Sequence, residues 1–129
     1  MPSTLPFWTG FVVTVALLAA ALFTGTTRRR RAHLCLAPAA MLALGVTIVL
    51  TEALVRRYDF PADTLRFHLF FAKAAGLLAL PVIATGVALW RTERARLWHR
   101  AALIVWLTSV AVATTTGLWM FGQGTPKPF

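Results

Sequence analysis

The chain has 129 residues, 58% of them hydrophobic and 13% charged, with a formal net charge of +9. The apolar residues lie in long blocks with short linkers, which leaves no room for a soluble domain. The basic residues collect between the blocks, where membrane topology places them, so the charge does not point to nucleic acid.

Four blocks, at about residues 7–24, 33–55, 67–90 and 101–121, approach or exceed the roughly 20 apolar residues needed to cross a hydrocarbon core of about 30 Å. Lipid offers a backbone no hydrogen-bond partner, so each spanning block must be helical. The expected fold is all-α: a single domain over residues 1–129, built as an integral membrane bundle of four transmembrane helices.

The first block follows MPSTLPFWTG, which has no charged side chain, and precedes Arg28, Arg29, Arg30 and Arg31. A cleaved signal carries its positive charge before the apolar run, so this helix reads as a retained anchor. In the second block Pro38 falls near the first turn, where a missing amide costs little. Cys35 is the only cysteine, which excludes an intrachain disulfide, and it is expected to be a buried small residue. It stands about 200° round a helix from His33, too far to share a metal. The segment RRYDFPADTLR, residues 56–66, reads as an ordered turn, with Asp63 or Thr64 capping the third helix. Pro81 falls mid-span in that helix and is expected to kink it by releasing the carbonyl of Leu77. Trp8, Trp90, Trp98 and Trp119 mark the interfaces. Trp106 lies inside the fourth block and should pack, and the tail GQGTPKPF is expected to be loose.

Eight arginines (Arg28 to Arg31, with Arg91, Arg94, Arg96 and Arg100) lie on one side of the expected topology. Four basic residues (Arg56, Arg57, Arg66 and Lys127) lie on the other, offset by Asp59 and Asp63. The bias predicts arginine-rich loops in the cytoplasm and both termini outside.

His33, His68 and His99 are the only histidines, each expected within a residue or two of a helix start. Projection at 100° per residue puts His68, Ala72, Ala75, Ala79 and Gly86 within about 40° of one line. His99, Trp106, Val110, Ala113 and Gly117 share a face of the fourth helix. His33, Ala37, Ala40, Leu44, Thr47 and Thr51 share one on the second. Each histidine heads the smallest or most polar stripe of its helix, the stripe expected to face the interior. Such stripes admit a flat ligand such as a haem, but they also pack helices with nothing bound.

Glu52 lies about 5 Å below the outer end of its helix and Lys73 about 9 Å below the start of the next. An intramembrane ion pair between Glu52 and Lys73, or a snorkelling lysine, accounts for both charges. A second account has Glu52, Lys73 and His68 ring a polar pocket able to hold a metal, with His68 and Glu52 as ligands. Haem propionates call for cations, and Arg31 and Arg100 flank His33 and His99. No glycine-rich phosphate loop, HExxH or CxxC is present, nor a serine beside a base, so no enzyme activity is expected. Thr114, Thr115 and Thr116 are expected to bond back to helix carbonyls.

Taken in order, FH at 67–68 with Ala72, Ala75 and Gly86 on its face, HR at 99–100, Trp106 and TG at 116–117 resemble the small four-helix membrane proteins of the domain of unknown function 420 family. Members carry a histidine where the second helix begins, as His33 does here, and include a maturation factor for bacterial haem-copper oxidase. The resemblance covers roughly residues 28–121. It implies haem or copper handling, or assembly of a terminal oxidase, in the bacterial cytoplasmic membrane, with His33, His68 and His99 as the positions carried over. The leading expectation is an accessory protein of respiratory cofactor assembly. The alternatives are a b-type cytochrome subunit with haem between His33 and His99, and a structural membrane subunit without cofactor.

Overall fold

A backbone lined by apolar side chains has only its own carbonyls to bond to within lipid, and the chain responds with helices. The computed structural model describes residues 4–128. Met1 to Ser3 and Phe129, which the expectations for the domain, the external termini and the tail include, lie outside them. The helices are α1 (Leu5–Thr26), α2 (Arg30–Val55), α3 (Ala62–Ala88) and α4 (Ala95–Phe121). All four are long and apolar enough to cross a membrane. The all-α, membrane-helical fold read from the blocks is the fold found, that of a multi-pass protein of a lipid bilayer.

The helices begin earlier than apolarity alone indicates. α3 starts at Ala62 rather than near 67, and α4 at Ala95 rather than near 101. Helical hydrogen bonding continues through charged interfacial residues such as Arg66 and Arg96, so the end of a greasy run is not the end of a helix. Neither Asp63 nor Thr64 caps α3. Pro61 occupies the cap position with no side-chain bond, and Asp63 lies in the first turn, where a carboxylate complements the helix dipole. Thr64 instead donates from Oγ1 to Gln123 Oε1 at 2.9 Å. Pro81 lies inside α3, which runs unbroken through it.

The chain divides into two compact units, each a helical hairpin. In the first, α1 packs on α2. The corner is tight: Arg29 N donates to Thr24 O at 2.9 Å and Arg28 N to Gly25 O at 3.4 Å. Arg28 sits at φ 56°. This is the Schellman ending of α1, with an arginine where glycine is the usual occupant. Midway along, the buried hydroxyls of Thr14 and Thr47 meet at 2.8 Å, and Ala40 is 1% exposed. The end of the chain also belongs to this unit. The short strand β1 (Tyr58–Asp59) pairs with β2 (Thr125–Pro126), Lys127 N donates to Arg57 O at 3.0 Å, and Lys127 Nζ lies 3.5 Å from Asp59. The tail expected to be loose is thus tied down by backbone and charge.

In the second hairpin α3 packs on α4. Trp106 and Met120 are fully enclosed, and Trp106 Nε1 donates to Ala75 O at 3.1 Å. An indole N–H inside an apolar span needs an acceptor, and the small Ala75 lets its own carbonyl be that acceptor. Ala40 and Thr47 on α2, Ala75 on α3, and Trp106 and Gly117 on α4 are all buried. The faces projected at 100° per residue are the packed ones. Cys35 is an exception to the expected burial: it is exposed, about 140° round α2 from Ala40.

Candidate functional site

The histidines lie a turn or two inside their helices rather than within a residue or two of the start: His33 in α2 from Arg30, His68 in α3 from Ala62, His99 in α4 from Ala95. Each is half-buried and reaches across its hairpin to the same feature, a Thr-Gly step near the end of the neighbouring helix. His33 meets Thr24-Gly25, His99 meets Thr85-Gly86, and His68 meets Thr116-Gly117.

The glycine supplies the room. A Cβ at Gly117 would stand 3.0 Å from Cε1 of His68, one at Gly25 would stand 3.2 Å from Cε1 of His33, and one at Gly86 would stand 3.3 Å from Cε1 of His99. These separations are tighter than side chains ordinarily tolerate. Only a residue without a side chain lets the imidazole lie this close to the facing backbone.

The threonines repeat one pattern, bonding back to carbonyls three and four residues earlier. Thr24 Oγ1 donates to Ala20 O at 2.9 Å and lies 3.0 Å from Ala21 O. For Thr85 the distances are 2.7 Å to Pro81 O and 3.2 Å to Val82 O. For Thr116 they are 2.9 Å to Val112 O and 3.0 Å to Ala113 O. Thr115 bonds to Ala111 O in the same way, so of the run Thr114, Thr115 and Thr116 the expected back-bonding is found at Thr115 and Thr116.

The histidines attach at Nδ1. His33 Nδ1 donates to Ala21 O at 2.9 Å, His68 Nδ1 lies 3.1 Å from Thr116 Oγ1, and His99 Nδ1 lies 3.0 Å from Thr85 Oγ1. Ala21 is the carbonyl to which Thr24 also bonds, so all three contacts fall on the same half-turn of the facing helix. His68 and His99 sit at opposite ends of the second hairpin. From His68 to the Thr85 that holds His99 is about 26 Å of α3 at 1.5 Å per residue.

The other expected site residues stand apart from this device. Arg31 and Arg100 are exposed beside His33 and His99 in sequence, available to a carboxylate at those helix ends. Glu52 and Lys73 are exposed on α2 and α3 respectively, and Lys73 shares its face with exposed Phe70 and Leu77. Among the described residues, the ion pairs within the hairpins are Arg96 with Glu93 and Lys127 with Asp59. Among the described residues, no three or more His, Cys, Asp or Glu side chains gather as a metal-holding group. Within the second hairpin a ligand therefore meets one imidazole at each end.

Sequence reasoning found the histidines and Gly86 and Gly117, but not Thr24, Gly25 or Thr85 as their partners. A signal was there: Thr-Gly occurs four times, at 9–10, 24–25, 85–86 and 116–117. Three of the four face a histidine, and Gly10 faces Thr47 and Leu50 instead. No protein-family model, curated protein or solved structure matches this chain.

Proposed function

We propose that this protein is an integral membrane accessory factor of respiratory cofactor assembly, which holds haem or copper through its histidines and catalyses no reaction itself. The observation that carries the reading is the threefold arrangement of imidazole, glycine and back-bonded threonine. A histidine that serves a metal has its second nitrogen anchored and its ring fixed by a neighbouring acceptor, and all three histidines here have Nδ1 so anchored. Imidazole suits both haem iron and copper. Arg31 and Arg100 would meet haem propionates at the ends bearing His33 and His99. Bound there, haem or copper would supply redox chemistry to a client, and the chain's own part is to position the ligand atoms.

The likeness to the domain of unknown function 420 family, carried by His33, His68, His99 and the TG at 116–117, supports the same reading and names a terminal oxidase as the client. The arginine bias supports a bacterial cytoplasmic membrane with both termini outside. A second reading has its own observation: the Nδ1 bonds fasten each hairpin whether or not anything is bound, as a structural subunit requires.

Metal analysis and an absorption spectrum of the detergent-solubilised protein decide between them. A Soret band that shifts on reduction, or stoichiometric copper, is expected, and the bound cofactor should be lost stepwise in His33→Ala, His68→Ala and His99→Ala. Protein that takes up neither haem nor copper when offered each would leave only the structural reading.

A further inference from the structure

We propose that Thr116 and Thr85 are positioning residues that fix the tautomer of His68 and His99, placing the proton on Nδ1 so that Nε2 carries the lone pair. This deepens the cofactor reading, and rests on it only for what Nε2 binds.

A neutral imidazole has one N–H and one bare nitrogen, and the partner of one nitrogen decides which is which. For His33 the partner is the carbonyl of Ala21. A carbonyl can only accept, so the proton is on Nδ1. For His68 the ring also has the backbone of Ala113 as a hydrogen-bond partner, and the group facing Nδ1 at 3.1 Å is a hydroxyl, which in general can either give or take. Here it can only take. Thr116 has one hydroxyl proton and lies 2.9 and 3.0 Å from the carbonyls of Val112 and Ala113, which can only accept. Its proton is committed to them, and the oxygen facing His68 at 3.1 Å presents a lone pair. Thr85 is committed in the same way to Pro81 O at 2.7 Å and faces His99 Nδ1 at 3.0 Å. The threonine thus reproduces, in the second hairpin, what a bare carbonyl does in the first.

The glycine beside each threonine is the other half of the device, since a Cβ at Gly117 would fall 3.0 Å from Cε1 of His68 and 3.4 Å from its Nδ1. The contacts of His33 and His68 with the facing helix are made through Nδ1, to Ala21 O and Thr116 Oγ1. The atom left over is therefore the one whose lone pair ligates a borderline or soft metal.

The test reads the tautomer directly, in metal-free protein, so that it does not depend on what binds. Nitrogen NMR of histidine-labelled protein in detergent at about pH 8, where an ordinary imidazole is neutral, distinguishes protonated from bare ring nitrogens. With only three histidines, single substitutions assign them. The expected wild-type result is Nδ1–H at all three positions. Thr116→Val should shift the ratio at His68 by about fivefold towards Nε2–H, the effect of losing one ordinary hydrogen bond, and leave His33 unchanged. Thr116→Ser, which keeps the hydroxyl, should restore the wild-type ratio. Nε2–H at His68 in the wild type, or an unchanged ratio in Thr116→Val, overturns the proposal. A fixed tautomer in a protein that binds neither haem nor copper would instead overturn the cofactor reading and leave this one standing.

Discussion

Midway along each hairpin one polar bond joins the two helices, but the bonds are of different kinds. In α1 and α2 two buried threonine hydroxyls meet. In α3 and α4 a single large indole, 2% exposed, donates to a backbone carbonyl. The ends differ as well. The second hairpin carries an imidazole against a Thr-Gly step at both ends, while the first does so only at the end bearing His33, and at its other end Gly10 packs against Thr47 and Leu50. The Thr-Gly step is therefore first a packing device, giving close approach and a saturated hydroxyl. A histidine opposite it turns the same step into a holder for a ring nitrogen.

Trp106→Ala should have the largest effect. Removing this enclosed ring should cost about 3 kcal/mol, read by unfolding in mixed micelles, and amide protection should fall in α3 and α4 but not in α1 and α2. Equal loss in both pairs of helices would end the comparison. Next comes Gly117→Ala, expected to displace His68 and cost about 2 kcal/mol by overpacking. Gly10→Ala should cost clearly less. Its nearest neighbour, Leu50 Cδ1 at 3.0 Å, is the far end of a flexible side chain, and the next, Thr47 Oγ1 at 3.1 Å, is a small hydroxyl that can give way at the cost of its bond to Thr14.

Arg28→Gly should act in the opposite direction and stabilise the first hairpin by about 1 kcal/mol, because the φ of 56° at this corner penalises any residue with a Cβ. A higher unfolding midpoint checks this. Thr14→Val should have the smallest effect, about 0.6 kcal/mol, the typical value of a side-chain hydrogen bond within a membrane protein. A loss as large as that of Trp106→Ala would mean that the two mid-span bonds are equivalent after all.

The number and position of the spans were legible because lipid imposes one rule on every residue of a block. The packed faces were legible for a related reason, since helix geometry fixes which side chains align, and Ala40, Thr47, Ala75, Trp106 and Gly117 fell where projection put them. The starts of α3 and α4 were not, because charged residues at an interface can be helical without being apolar. Nor was the partner of each histidine. That His68 meets Thr116 and His99 meets Thr85 depends on the register of one helix against another, which no single-helix projection contains. Cys35 was misplaced because small size was taken for burial, and only its angle from Ala40 separates the two.

The tie between Lys127 and Arg57 makes two distant points of the chain report the same thing. A reporter placed at Lys127 would stand beside the exit of α2, so accessibility labels at Arg57 and at Lys127 must give the same sidedness in intact cells. Any pair of readings that disagrees would show that the chain makes an odd number of crossings between those two points.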